Sequence, residues 1–235
     1  MIADIQQNSM DIQEYKDYYV AFIDILGFKK IVDGEDCNKI SQIFNTLANA
    51  KLLDAIKFPV NSLNIPLEDV KRYIMSDSIV FYIESKRKNS LRALLIQCQW
   101  LSFCLMKNNP PIFVRGGISK GGFYRGTRNK SIVFGPALTS AFLLENNCAH
   151  TPRIIMLKET FDQGVQNDID DERELNIITY CDCDEYRCVD TLEYLKHDLN
   201  SYVSVQTYIQ NVLDTEPDES IRQKFLYLKQ RMNVK

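Results

Sequence analysis

Tight apolar runs alternate with polar stretches broken by glycine and proline along this chain. Residues 18–25 (YYVAFIDI) are apolar or aromatic at every position but Asp24, the pattern of a central strand buried on both faces. Asp36 and Asn38 offer helix caps, and Ile40, Ile43, Phe44, Leu47 and Ala50 follow at helical spacing. Pro59 and Pro66 bracket a loop. Residues 70–75 and 79–83 read as two strands around a tight turn at Ser76-Asp77-Ser78. Residues 89–106 carry a helical stripe through Leu91, Leu94, Leu95, Cys98, Leu101 and Leu105, stopped by Pro110-Pro111. A strand at 112–118, a turn at Gly121-Gly122 and a short extended piece at 132–134 follow. Pro136 opens a helix to about residue 146, since proline suits the first helical position. Residues 154–157 read as an edge strand, 166–174 as an acidic loop and 177–180 as a last strand. Helices are expected at 189–212 and 220–232.

This order is β-α-β-β-α-β followed by an extra strand and helices. It predicts an α+β, ferredoxin-like sandwich with helices on one sheet face. The chain has 235 residues, 45% of them hydrophobic, enough for one large domain with a sizeable core. Charged residues are 25% and the net charge is −3, which argues against disorder and against a nucleic-acid-coating protein. Residues 1–8 are polar, so no signal peptide is expected. No run approaches the roughly 18 apolar residues of a membrane helix, so no membrane partner is expected. Seven irregularly spaced cysteines read as reduced thiols of a cytoplasmic protein. Cys181, Cys183 and Cys188, with His197 beyond them, fit a strand end and turn better than a zinc site.

Two carboxylates sit where a core would not choose them. Asp24 interrupts an apolar strand just before Gly27 and needs a partner or a strand end. Asp77 sits at the tip of MSDSIVF between two apolar strands. Taken singly, Asp24 is compatible with a helix cap and Asp77 with a plain turn residue. In a β-α-β-β chain, however, the end of the first strand meets the tip of the following hairpin. Two converging carboxylates repel each other unless cations neutralise them, and hard divalent ions with oxygen ligands do so. Paired ions suit in-line displacement at phosphorus. The Ile25 carbonyl is a plausible further ligand.

Six of the nine glycines fall between positions 116 and 135, together with Lys120, Arg125, Arg128 and Lys130, and Arg115 immediately precedes them. Glycines permit close backbone approach and arginines bind phosphate oxygens, although a solvated basic hairpin has the same composition.

These segments resemble a family. FIDILGFKKIV (22–32) resembles the metal-binding strand and turn of class III nucleotidyl cyclases. MSDSIVFY (75–82) resembles their second hairpin, VRGGISKGGFYRG (114–126) their R-x-G-I strand and loop, and FGPALTSAFLLEN (134–146) their following helix. The details are closest to the pyrimidine cyclases of the bacterial Pycsar antiphage systems. The resemblance implies an N-terminal arm (1–17), a cyclase catalytic domain (18–186) and a C-terminal helical extension packed on it (187–235). It implies a homodimer with active sites at the interface, binding a nucleoside triphosphate. Asp24, Asp77 and the Ile25 carbonyl would hold two Mn²⁺ or Mg²⁺ ions. Asp24, Asp77 and Arg115 would be catalytic, with Arg115 on the phosphates. Phe28, Tyr73, Lys120, Arg125 and Thr139 would complete the substrate site.

Tyr73 occupies the position where purine cyclases carry a charged base reader, and its ring favours a one-ring base. The expected reaction converts UTP, or CTP, to the 3′,5′-cyclic monophosphate and pyrophosphate. The product would be a second messenger acting on a separate effector protein. Thr139 and Leu143 depart from the family helix, which carries Asn and Arg there. Three rival readings stay open. A purine cyclase could use Lys71 or Arg72 near Tyr73. A cyclase-like dimer could bind nucleotide without turning it over. A small sheet protein could bind nucleic acid through the 115–130 patch.

Overall fold

The structure is a computed structural model that describes residues 14–34, 36–49, 65–126, 132–166 and 170–233. The loop between Pro59 and Pro66, Arg128 and Lys130 fall wholly or largely outside these residues. So do most of the arm and part of the acidic loop.

The first strand, β1 (Lys16–Ile25), is central as its pattern requires, with Tyr19, Val20, Ala21 and Ile23 fully buried. Helices α1 (Phe28–Gly34) and α2 (Cys37–Asn49) lead from it to the hairpin of β2 (Lys71–Met75) and β3 (Ser78–Glu84). Helix α3 (Ser90–Met106) then returns the chain to β4 (Val114–Arg125), whose end pairs with the short β5 (Val133–Phe134). These strands run in the order β2-β3-β1-β4, all antiparallel, which is the ferredoxin-like core.

Strand alternation divides the core. Tyr19, Ala21, Ile23 and Ile25 face α2 and α3, whereas Val20 and Phe22 face α4 (Pro136–Cys148) across Ala137 and Ala141. Helix α3 carries more than a stripe: Gln97, Gln99 and Ser102 are buried with its apolar residues. The sheet lies on one side, and the C-terminal cluster of Tyr194, Leu195 and Val205 packs on the other through Phe103 and Met106.

Several expectations need correction. Helices cover both sheet faces, α2 and α3 one and α4 the other, where a single covered face was expected, because residues of both parities in β1 are apolar and each face needs a cover. Gly121-Gly122 is no turn, because β4 runs through it to Arg125, opposite Tyr18 and Asp17 of β1. A Cβ at Gly122 would come 3.0 Å from the Tyr15 side chain, so the glycine serves close packing. Strand β6 (Ile154–Met156) is interior, paired parallel with β4 and antiparallel with β8 (Arg187–Val189), a strand the pattern did not reveal. The expected strand at 177–180 is the end of α6 (Glu172–Ile178) followed by β7 (Thr179–Cys181), which pairs with β8. Helix α5 (Lys158–Val165) also went unforeseen.

The expected helix at 189–212 is β8, the short α7 (Glu193–Lys196) and α8 (Leu199–Thr215), ahead of α9 (Glu219–Asn233). The sheet thus continues past residue 186. Buried Arg153 binds Asp182 and Asp184, and the Tyr227 hydroxyl of α9 donates to Asp182 at 2.8 Å. This network ties α9 to the sheet.

Candidate active site

Asp24 is the next-to-last residue of β1, in register with Ser78 on β3 and Arg115 on β4. Asp77 lies in the β2–β3 turn, where Ser76 takes a left-handed φ of 50°. The Ile25 amide donates to the Asp77 carbonyl at 3.0 Å, fastening the hairpin tip to the end of β1. Burial pushes the Asp24 carboxyl above its ordinary range, Arg115 opposes the shift and the charge of Asp77 adds to it. Ser78, in register with Asp24 on β3, also opposes the shift. The two carboxylates therefore share one end of the sheet.

Arg115 is the local cation. Its Nε lies 3.4 Å from Asp24 Oδ2 and 2.7 Å from Glu145 Oε1. Glu145, on α4, is 2% exposed, and burial raises its carboxyl while Arg115 lowers it and Asp24 and Asp77 raise it further. Its position depends on Gly117. A Cβ there would collide with the Ala141 carbonyl and lie 2.8 Å from the Glu145 nitrogen. Glu145 carried no expected role. The signal was present: Ala137, Ala141 and Glu145 recur every four residues along the buried face of α4.

The other expected site residues scatter. Ile25 is buried beside Asp24 at the end of β1. Tyr73 pairs with Val80, and so shares Asp24's sheet face, half-buried beside Tyr82 and Phe22. Phe28 is half-buried and packs edge-on against Phe44 of α2. Thr139 and Leu143 sit on the exposed side of α4. Lys120 pairs with Tyr19, on the opposite sheet face from Asp24, and its Nζ lies 5.7 Å from the Tyr19 ring centroid. Arg125 shares Asp24's face but stands ten positions beyond Arg115 on β4, roughly 30 Å away at strand spacing. Neither joins the carboxylates within one chain. Arg72 faces α2, where it donates to the Leu47 and Ala48 carbonyls, and Lys71 donates to the Glu68 carbonyl at 2.8 Å.

No family model and no curated protein matches the chain. Solved structures do. The monomeric guanylyl cyclase domain of the RhoGC fusion protein from the aquatic fungus Blastocladiella emersonii superposes with a TM-score of 0.57 at 12% identity. That match covers 76% of this chain and 96% of that one. The adenylyl cyclase CyaB from P. aeruginosa gives a TM-score of 0.50 at 14% identity, over 76% and 95% of the two chains. A bacterial light-regulated adenylyl cyclase gives 0.50 at 13% identity, over 83% and 99%. The fold is that of a class III cyclase catalytic domain. At these identities the likeness is one of fold, and chemistry must be argued from the site.

Two carboxylates and a strand-end carbonyl are hard oxygen donors of the kind Mg²⁺ and Mn²⁺ accept. Among the described residues no group of three His, Cys, Asp or Glu side chains could hold an ion alone. Asp24 is raised by burial and by Asp77, a strain that a cation relieves, so the residues fit such ions.

Proposed function

We propose that this chain is a nucleotide cyclase, closing a nucleoside triphosphate into its 3′,5′-cyclic monophosphate with release of pyrophosphate. The observation that carries this reading is the meeting of Asp24 and Asp77 at one end of a cyclase-type sheet. The two carboxylates and the Ile25 carbonyl are the proposed ligands of two Mg²⁺ or Mn²⁺ ions. When bound, such ions lower the pKa of the ribose 3′-hydroxyl and offset the triphosphate charge.

The 3′-oxygen bonds to the α-phosphorus and the bond from that phosphorus to the bridging oxygen breaks. Pyrophosphate leaves with the electron pair, and the hydroxyl proton passes to water. The chain's own task is positioning and charge. Arg115 holds Asp24, and Glu145 holds Arg115 at the edge of the site. Arg115 is the proposed phosphate contact.

A homodimer is part of this reading. Phe134, Phe142 and Leu143 are 43–47% exposed on and beside α4, an apolar surface suited to a second copy. Thr139 on the same helix is then placed to meet the partner's substrate.

The proposed base is a pyrimidine, with UTP preferred over CTP. Supporting it is the Tyr73 ring, which fills space on the Asp24 face while Arg72 is turned away. The fold likeness to guanylyl and adenylyl cyclases favours a purine instead. The departures at Thr139 and Leu143 favour a third reading, a nucleotide-binding dimer without turnover. Incubating the purified chain with Mn²⁺ and each of the four triphosphates, then detecting cyclic product by mass, separates the three. The resemblance to antiphage cyclases places the product, in this proposal, as a cytoplasmic second messenger for a separate effector. Absence of any cyclic product would overturn the catalytic reading.

A further inference from the structure

A cavity of about 600 Å³ opens between the start of α1, α2 and the C-terminal helices. Leu26, Ile31 and Ile43 line one side; Tyr208, Val212 and Phe225 line the other. Its size and apolar walls are those of small-molecule sites. Its charge is distinctive. Lys29, Lys30 and Lys224 line it, and among the described lining residues Glu216 is the single carboxylate, in a chain whose net charge is −3. Glu216 stands 3.9 Å from Lys30, so the border stays basic on balance.

The geometry points to a binding site for an anionic amphiphile: one carboxylate, sulfonate or phosphate head at the lysines and an apolar body against Ile43, Val212 and Phe225. The position also bears on the proposed chemistry. Leu26 and Phe113 both line the cavity and share a backbone hydrogen bond of 2.9 Å. Leu26 lies two residues after Asp24, and Phe113 two residues before Arg115. An occupant therefore presses on the backbone that carries both site residues, and this regulatory part rests on the cyclase reading.

The test titrates the full chain with anilinonaphthalene sulfonate, a fluorescent sulfonate on an aromatic body. Expected are saturable binding, displacement by dodecanoate, and at least about tenfold weaker binding in the Lys30→Glu/Lys224→Glu double variant. Val212→Trp, which fills the cavity, should also abolish it. Equal binding in wild type and both variants would overturn the site. Displacement by a nucleoside triphosphate with Mn²⁺ would do the same, since the probe would then occupy the substrate site. Dodecanoate should change the rate of cyclic-product formation in wild type but not in the double variant. Intact probe binding with no rate effect would remove the regulatory role alone. Absent product with intact binding would count against the cyclase reading, not the cavity.

Discussion

Arg115 stands opposite Asp24 on adjacent strands, its Nε 3.4 Å from that carboxylate and 2.7 Å from Glu145. One guanidinium thus serves two acids, with the charge of Asp77 acting on both. Partly buried like charges held this way leave a local surplus of negative charge, which is a cation's environment.

Asp77→Asn tests the ion site directly. Cyclic product should fall by about 100-fold or more, because the reacting groups lose their alignment. The melting temperature should hold or rise, since a repulsion with Asp24 disappears. Undiminished product formation would sink the metal assignment.

Glu145 and Arg115 should move the pH profile in opposite directions. Asp24 must be ionised to hold a cation, and its carboxyl already sits above the ordinary range. Glu145→Gln removes a neighbouring negative charge, so the acid limb of activity should shift to lower pH. Arg115→Met removes the stabilising cation, so the limb should shift to higher pH. A kinetic pH series on both variants reads this. Shifts of the same sign in both would mean that Glu145 acts on Asp24 by holding Arg115 and not through its own charge.

Gly117→Ala should loosen α4 from the sheet. The added methyl meets helix backbone, which cannot rotate away as a side chain can. A loss of about 2 kcal/mol is expected from urea titration, in the range of overpacked cores. An unchanged midpoint would mean that α4 moves freely on β4.

Asp170 makes stability depend on pH. It is 3% exposed and accepts from the Leu91 and Arg92 amides at the first turn of α3. Burial nevertheless pushes its carboxyl up to about 6. The folded state therefore binds the proton more tightly than the unfolded chain, whose carboxyl titrates near ~3.9. That contribution is present below pH ~4 and is lost as pH rises to about 6, amounting to up to about 3 kcal/mol. Urea midpoints of wild type and Asp170→Asn between those values should converge or cross in that direction. A constant difference would refute the shift.

The strands and long helices were legible because burial on both faces leaves unbroken apolar runs, as in β1, and because Pro136 marks a helix start. The elements from 158 to 189 were not. Strand β6 was legible as a strand but not as an interior one, and β7 and β8 have three residues each, too short to display a period, with pairing set by neighbours distant in sequence. Gly121-Gly122 misled because glycine in a turn and glycine under a packed ring look alike in one dimension.

The site divides in the same way. Asp24 and Asp77 were readable as a pair, since a β-α-β-β order brings the end of the first strand to the hairpin tip, although singly each had a plain structural reading. Whether neighbouring basic residues join them was not, because strand alternation sends Lys120 to the opposite face and strand length carries Arg125 far along β4. The burial of Glu145 could be read from its spacing with Ala137 and Ala141, but its role emerged only when α4 settled on Gly117, for the value of a buried charge lies in its partner, and Arg115 is brought to it by the fold. Local chemistry thus followed from residue order, while the company each charge keeps was decided by packing.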